Sequence, residues 1–184
     1  MTSAELLTDA FGRVQETVHE AVDGLSAAQL AARLDDDANS IAWLCWHLAR
    51  VQDDHVADAF GVEQVWPGFI ERFGLPFRPG ATGYGHSSAQ VDLVRVSADL
   101  LTGYHDAVHE QTVALVSGLT DADLSRVVDE RWDPPVTLGV RLVSGPRPVD
   151  PVGAAGTSGG PGWPVRPRHA SGRRSPGGRR RPPR

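Results

Sequence analysis

Apolar residues recur along the first half of the chain at helical intervals. Leu7, Phe11, Val14, Val18 and Val22 fall on one stripe, preceded by Thr2 and Glu5 at capping-box spacing and followed by Gly24 as a stop. This predicts a first helix. Ser26 to Leu34 reads as a short helical turn, after which Asp37, Asn39 and Ser40 offer N-caps to the apolar run that opens Ile41-Ala42-Trp43-Leu44. The second helix is expected to reach about Phe60. Residues 61–86 carry so many Gly and Pro that a long loop without regular elements is predicted. Ser87 and Gln90 repeat the capping-box spacing, and Leu93, Val96, Leu100, Tyr104, Val108 and Leu115 supply the apolar face of a third helix, the longest in the chain, ending near Gly118.

An internal echo extends this pattern. Val22-Asp-Gly-Leu-Ser-Ala-Ala-Gln-Leu30 resembles Val116-Ser-Gly-Leu-Thr-Asp-Ala-Asp-Leu124 at an offset of 94. A counterpart of the second helix should then open near Pro134-Pro135-Val136-Thr137, with Leu138 to Ser144 as its first two turns. Gly145, Pro146, Pro148 and Pro151 stop it, since each interior proline costs roughly 3 kcal/mol. The expected class is all-α, a four-helix bundle over residues 1–144 whose fourth helix is truncated near residue 144.

Charge divides the chain at the same place. The net charge of -5 combines 9 Arg against 22 Asp plus Glu in residues 1–144 with 9 Arg against Asp150 alone in residues 145–184. That second segment also holds 9 Gly and 9 Pro, too little periodic apolar material to offset its ordering entropy, and it is expected to be a disordered tail. Its Arg, Pro, Gly and Ala can all be coded by GC-rich triplets, so a change of reading frame is one account of it. A genuine disordered extension is the plain alternative. Arg173-Arg174 and Arg179-Arg180-Arg181 could contact phosphates, but only Trp163 offers an aromatic platform and nucleic acid is not the expected partner. The lone Cys45 excludes an intramolecular disulfide framework, and no signal peptide or membrane-length apolar run is seen, which makes the cytoplasm the default location.

Histidines are the side chains most able to carry chemistry. His47 shares a helical stripe with Trp43, Val51, Asp54 and Asp58, so a metal there would find carboxylates one or two turns away; the plainer role is a core-edge histidine. His55 lies two turns on but about 80° around the helix, a position suited to support rather than ligation. His105 and His109 have i, i+4 spacing on the third helix, which one metal could bridge, although such pairs also arise by chance. Cys45, amid Trp43, Leu44 and Trp46, is expected to be an inert core thiol. Gly80-Ala-Thr-Gly-Tyr-Gly85 follows no strand, does not match a phosphate loop, and reads as a flexible connection near the mouth of the bundle.

Two stretches carry a family resemblance: Asn39-Ser-Ile-Ala-Trp-Leu-Cys-Trp-His47-Leu-Ala-Arg-Val-Gln-Asp-Asp-His55 and Glu130-Arg-Trp-Asp-Pro-Pro-Val-Thr-Leu-Gly-Val-Arg-Leu-Val-Ser144. Together they resemble the DinB and DUF664 superfamily, which includes mycothiol-dependent enzymes such as maleylpyruvate isomerase. The resemblance implies an up-and-down four-helix bundle, often dimeric. It implies a divalent metal, zinc or nickel, on one ligand from the second helix and an i, i+4 pair from the fourth. It also implies mycothiol as the thiol co-substrate of an S-transferase or isomerase acting on an electrophilic substrate. His47 matches the second-helix ligand. The fourth-helix pair has no counterpart, because Pro, Gly and Arg occupy that span. The expectation is an impaired enzyme, or a non-catalytic helical remnant serving as a binding or stress-associated module, in either case a marginal monomer or one rescued as a homodimer.

Overall fold

The first helix forms where cap and stripe agree. In the computed structural model, which describes residues 1–144 and Arg166–Pro167, α1 spans Ser3–Val22 with the Thr2/Glu5 capping box formed and Gly24 at a positive φ beyond its end. Then come α2 (Ala27–Leu30), capped by Ser26, and α3 (Ile41–Phe60), capped by Ser40 and closed by Gly61 in the left-handed conformation. The proline stop beyond Ser144 and the tail read as disordered lie outside the described residues, save for Arg166–Pro167.

The stretch 61–97 departs from expectation. The expected loop over 61–86 is not free of elements, since a 3-10 turn at Trp66–Gly68 and α4 (Ile70–Phe73) fold within it, and where the third helix was expected to open the chain forms only the short α5 (Ser88–Val91). The Ser87/Gln90 capping box is present but caps only the four-residue α5. The third long helix, α6, begins at Ala98 under a separate cap, Ser97, and ends at Val116. At 19 residues it is slightly shorter than the 20-residue α1 and α3. Leu93 was the misleading residue: it is exposed, while Val94 and Val96 are buried, the alternation of extended backbone rather than of a helix.

After α6, a 3-10 turn at Asp123–Ser125 stands where the internal echo places a counterpart of α2. β1 (Val127–Asp129), β2 (Trp132–Asp133) and β3 (Val136–Thr137) follow, with β1 and β3 paired antiparallel. β2 pairs antiparallel with β4 (Arg166–Pro167). The sequence pattern did not announce these strands. Asp129 ties them to α7 (Leu138–Ser144), accepting hydrogen bonds from Arg131 and Arg141, which hold its carboxyl well below the usual range.

Two apolar clusters set the directions of the helices. One joins Trp43, Trp46 and Ala49 of α3 to Val18 and Val22 of α1 and to Leu101, Tyr104 and Val108 of α6. The other joins Val56 and Ala59 of α3 to Leu7 and Phe11 of α1, Val116 of α6, and Leu138 and Leu142 of α7. So α3 and α6 run the same way, α1 runs against both, and the long segment between α3 and α6 is the crossover a parallel pair requires. α7 starts at the C-terminal ends of α3 and α6, and Leu142 is still buried one turn later, so it heads back along the bundle. α3 is central, with 13 of its 20 residues buried, because α1, α6, α7 and the crossover enclose it. Among the described residues, no helix is long and apolar enough to cross a membrane.

If α7 completes the second cluster, Leu142→Ala will destabilise the protein by about 2–5 kcal/mol, whereas Val140→Ala on its exposed side will change stability by less than about 0.5 kcal/mol. Urea unfolding of the two variants tests this, and equal small effects would mean that α7 does not pack.

Candidate functional site

His47 projects from the second turn of α3, stacked on Trp43 with ring centroids 4.6 Å apart. The crossover closes over it. Its Nδ1 lies 2.5 Å from the Thr82 carbonyl oxygen, and since a carbonyl only accepts, Nδ1 carries the proton. Burial lowers the pKa of His47, with the Thr82 contact opposing, so the neutral ring predominates at pH 7 and Nε2 keeps its lone pair. Among the described residues no hydrogen bond reaches Nε2. This is the arrangement that orients a metal-binding imidazole.

Three further residues shape the surroundings. Gly83, at φ +106, passes so close that a Cβ would stand 2.5 Å from His47 Nδ1 and 3.1 Å from Trp43. The ring of Tyr84 meets His47 edge-on at 5.3 Å. His86 stacks on Trp46, and its Nδ1 accepts from Trp43 Nε1 at 3.3 Å, which places its proton on Nε2 when neutral. Burial, then the neighbouring His47, lowers its pKa. The site therefore holds an imidazole lone pair on His47 and an imidazole N–H on His86. Outside this layer, Phe77, Arg78, Thr82, Tyr84, His86 and Gln90 help line a cleft of about 390 Å³. The glycine-rich segment is thus packed against α3, beyond its expected role as a connection.

Beneath the site lies a buried polar network. Arg50 is fully enclosed and donates from Nε to the Ala81 carbonyl, from Nη1 to Asp53 Oδ2 and Tyr104 Oη, and from Nη2 to Gln64 Oε1. Asp53 also accepts from the backbone N–H groups of Val65 and Trp66 and from the Tyr104 hydroxyl. Burial pushes the Tyr104 phenol far above its ordinary pKa. These residues were not singled out from the sequence, although a signal existed: Trp46, Arg50 and Asp53 are spaced i, i+4, i+7, which puts two charges on a core stripe.

The other candidates lie apart from His47. Of the expected carboxylates, Asp58 is exposed and Asp54 accepts from Gln64 Nε2, while the buried acid is Asp53. His55 borders a separate cleft of about 530 Å³ with Asp54, Asp58, Gln64, Arg131 and Arg141; burial, then Arg141, lowers its pKa. His105 is buried on α6 with neither ring nitrogen hydrogen-bonded, and its charged or titratable neighbours are His109, Asp106 and His19. Asp106 accepts from Gln15 and faces His19 across the contact with α1. Cys45 is the core thiol expected, its pKa pushed up to about 11 by burial.

A metal fits this donor set only in part. His47 presents one oriented nitrogen, but among the described residues no three His, Cys, Asp or Glu side chains converge to hold an ion. Arg141 lies near His55, eight residues along α3 from His47, so a prolonged α7 would come level with His47 roughly eight residues later by helical rise. The sequence there is Pro148-Val149-Asp150, and Asp150 is the one His, Cys, Asp or Glu between 145 and 165.

A family profile described as the DinB superfamily matches residues 10–143. A solved structure, described as the conserved protein of a locus from Enterococcus faecalis, is similar with a TM-score of 0.73 and 27% identity, covering 79% of this chain and 88% of that one. No curated protein matches the chain significantly.

Burial lowers the pKa of His105 from 6.5 to about 4. Between those values the unfolded chain takes up a proton that the native state refuses, so stability is complete above pH 6.5 and falls as the pH drops toward 4, by on the order of 3 kcal/mol. His105→Phe should remove most of that acid-side loss, which urea unfolding at pH 7 and pH 4.5 will measure. An unchanged pH dependence would place the titrating group elsewhere.

Proposed function

The chain belongs to the DinB superfamily, and from that footing we propose that its chemistry is metal-dependent reaction of a low-molecular-weight thiol, an S-transfer or isomerisation with mycothiol as co-substrate, reduced in this chain to one ligand and so impaired. The observation that carries this reading is the bond from His47 Nδ1 to Thr82, which leaves Nε2 without a hydrogen-bond partner among the described residues, on a ring stacked against Trp43. Bound zinc or nickel would supply thiolate stabilisation, lowering a thiol's pKa so that the nucleophile persists at neutral pH. The remaining ligands do not fit. They would come from the continuation of the fourth helix, where this sequence has proline and glycine.

What this chain does retain is a preorganised pocket. The strap from Ala81 to His86 covers most of His47, Trp43 and Tyr84 pack against its ring, and His86 offers an N–H at the edge of the cleft where the organic substrate would sit. Without the remaining donors, this arrangement serves binding better than turnover. A helical binding module is therefore the second reading, supported by the Arg50–Asp53 network, which holds the crossover against α3 through the protein's own groups.

Metal content separates these possibilities. The full chain, incubated with zinc or nickel and desalted, should retain well under one ion per chain, and His47→Ala should abolish what remains, with thiol-dependent turnover at background. One tightly held ion with mycothiol-dependent activity would overturn the impaired reading and assign ligands to residues beyond 144. Resequencing codons 140–184 tests the reading-frame account: another frame should continue from Ser144 as an amphipathic helix with an i, i+4 ligand pair, and its absence would make the tail genuine.

A further inference from the structure

We propose that Arg50 is a positioning residue for His47, acting through the backbone of Ala81 and Thr82 to set which ring nitrogen is free. The inference takes from the functional reading only that His47 Nε2 is the useful atom; its geometry is independent of any metal.

Three observations combine. Arg50 is held from several directions, by Asp53, by Tyr104, by Gln64 and by the Trp66 ring 5.0 Å from its guanidinium carbon, so its Nε is a fixed donor. That Nε donates at 3.1 Å to the Ala81 carbonyl, and the very next carbonyl, Thr82, takes the His47 Nδ1 proton. Arg50 and His47 are i, i+3 on α3, so the strap is pinned at two successive carbonyls by two side chains on adjacent turns.

Gly83 completes the device. The strap must leave His47 at once after Thr82, and a Cβ at residue 83 would stand 2.5 Å from the nitrogen being held. The positive φ there is open to glycine and strained for other residues. With the Ala81 anchor removed, the strap loses the side-chain bond nearest the Thr82 carbonyl, the carbonyl can move away from Nδ1, and His47 can adopt the Nε2-protonated tautomer, which occupies the useful lone pair.

The test reads the tautomer directly. In the full-length chain without added metal, nitrogen-15 NMR of the histidine rings should show His47 protonated at Nδ1 in the wild type. Arg50→Lys keeps a cation beside Asp53 but cannot reproduce the fork that reaches Ala81 and Asp53 together. It should shift His47 to mainly the Nε2-protonated form while the His105 signals and the far-ultraviolet dichroism stay unchanged. Gly83→Ala should produce the same change from the other side of the strap. A folded Arg50→Lys protein with His47 still protonated at Nδ1 overturns the proposal. Should that variant fail to fold, Arg50→Met with Asp53→Asn leaves no uncompensated charge in the core and asks the same question with the same two outcomes. The wild type can lack metal affinity and still show this tautomer switch, so failure of the functional reading and failure of this proposal are told apart.

Discussion

The Arg50–Asp53 pair is the constraint on which the site depends. Two opposite charges are buried in the middle of α3, where each would cost several kcal/mol if left unpartnered. Their partners come from the turn at Gln64–Trp66, from Ala81 in the strap and from Tyr104 on α6. Satisfying the pair therefore requires the crossover to return twice to α3 and requires α6 to lie alongside it. Apolar contacts alone would allow such a glycine-rich segment many arrangements; directional bonds to a buried charge allow few.

The same network explains why a stretch dense in glycine and proline packs closely over a histidine. Proline and glycine prevent long helices, leaving carbonyls and N–H groups that need other partners. Arg50, Asp53 and His47 provide them. Aromatic rings from both sides, Trp43 and Trp46 from α3 and Phe77 and Tyr84 from the crossover, fill the space between.

The fourth helix separates packing from chemistry. Two turns are enough to bury Leu138 and Leu142 against α1, α3 and α6, because those side chains meet the cluster at the open end of the bundle. Donors opposite His47 would require about two more turns by helical rise. The described residues thus close the bundle at one end, and among them no further pair of His, Cys, Asp or Glu side chains converges on His47 at the other.

Local rules made much of this legible. Thr2 with Glu5, Ser40, and Gly61 mark helix ends because capping is a short-range hydrogen-bonding problem, and the apolar stripes of α1 and α3, the helix Leu138–Ser144 and the family resemblance around His47 could all be read from residues near one another. Tertiary contacts decided the rest. Leu93 carried the helical register in the sequence, but Val94 and Val96 reach the core and α6 starts ten residues later than expected. Asp54 and Asp58 shared the stripe of His47, yet Asp53 became the buried acid because Arg50 and Tyr104 meet it there. Sequence alone determined α1 and α3, their caps and the candidate ligand, since spacing along one segment encodes them; which carbonyl holds His47, and which histidines stay apart from it, depended on how a crossover more than thirty residues away in the chain folds back, a relation that no local spacing records.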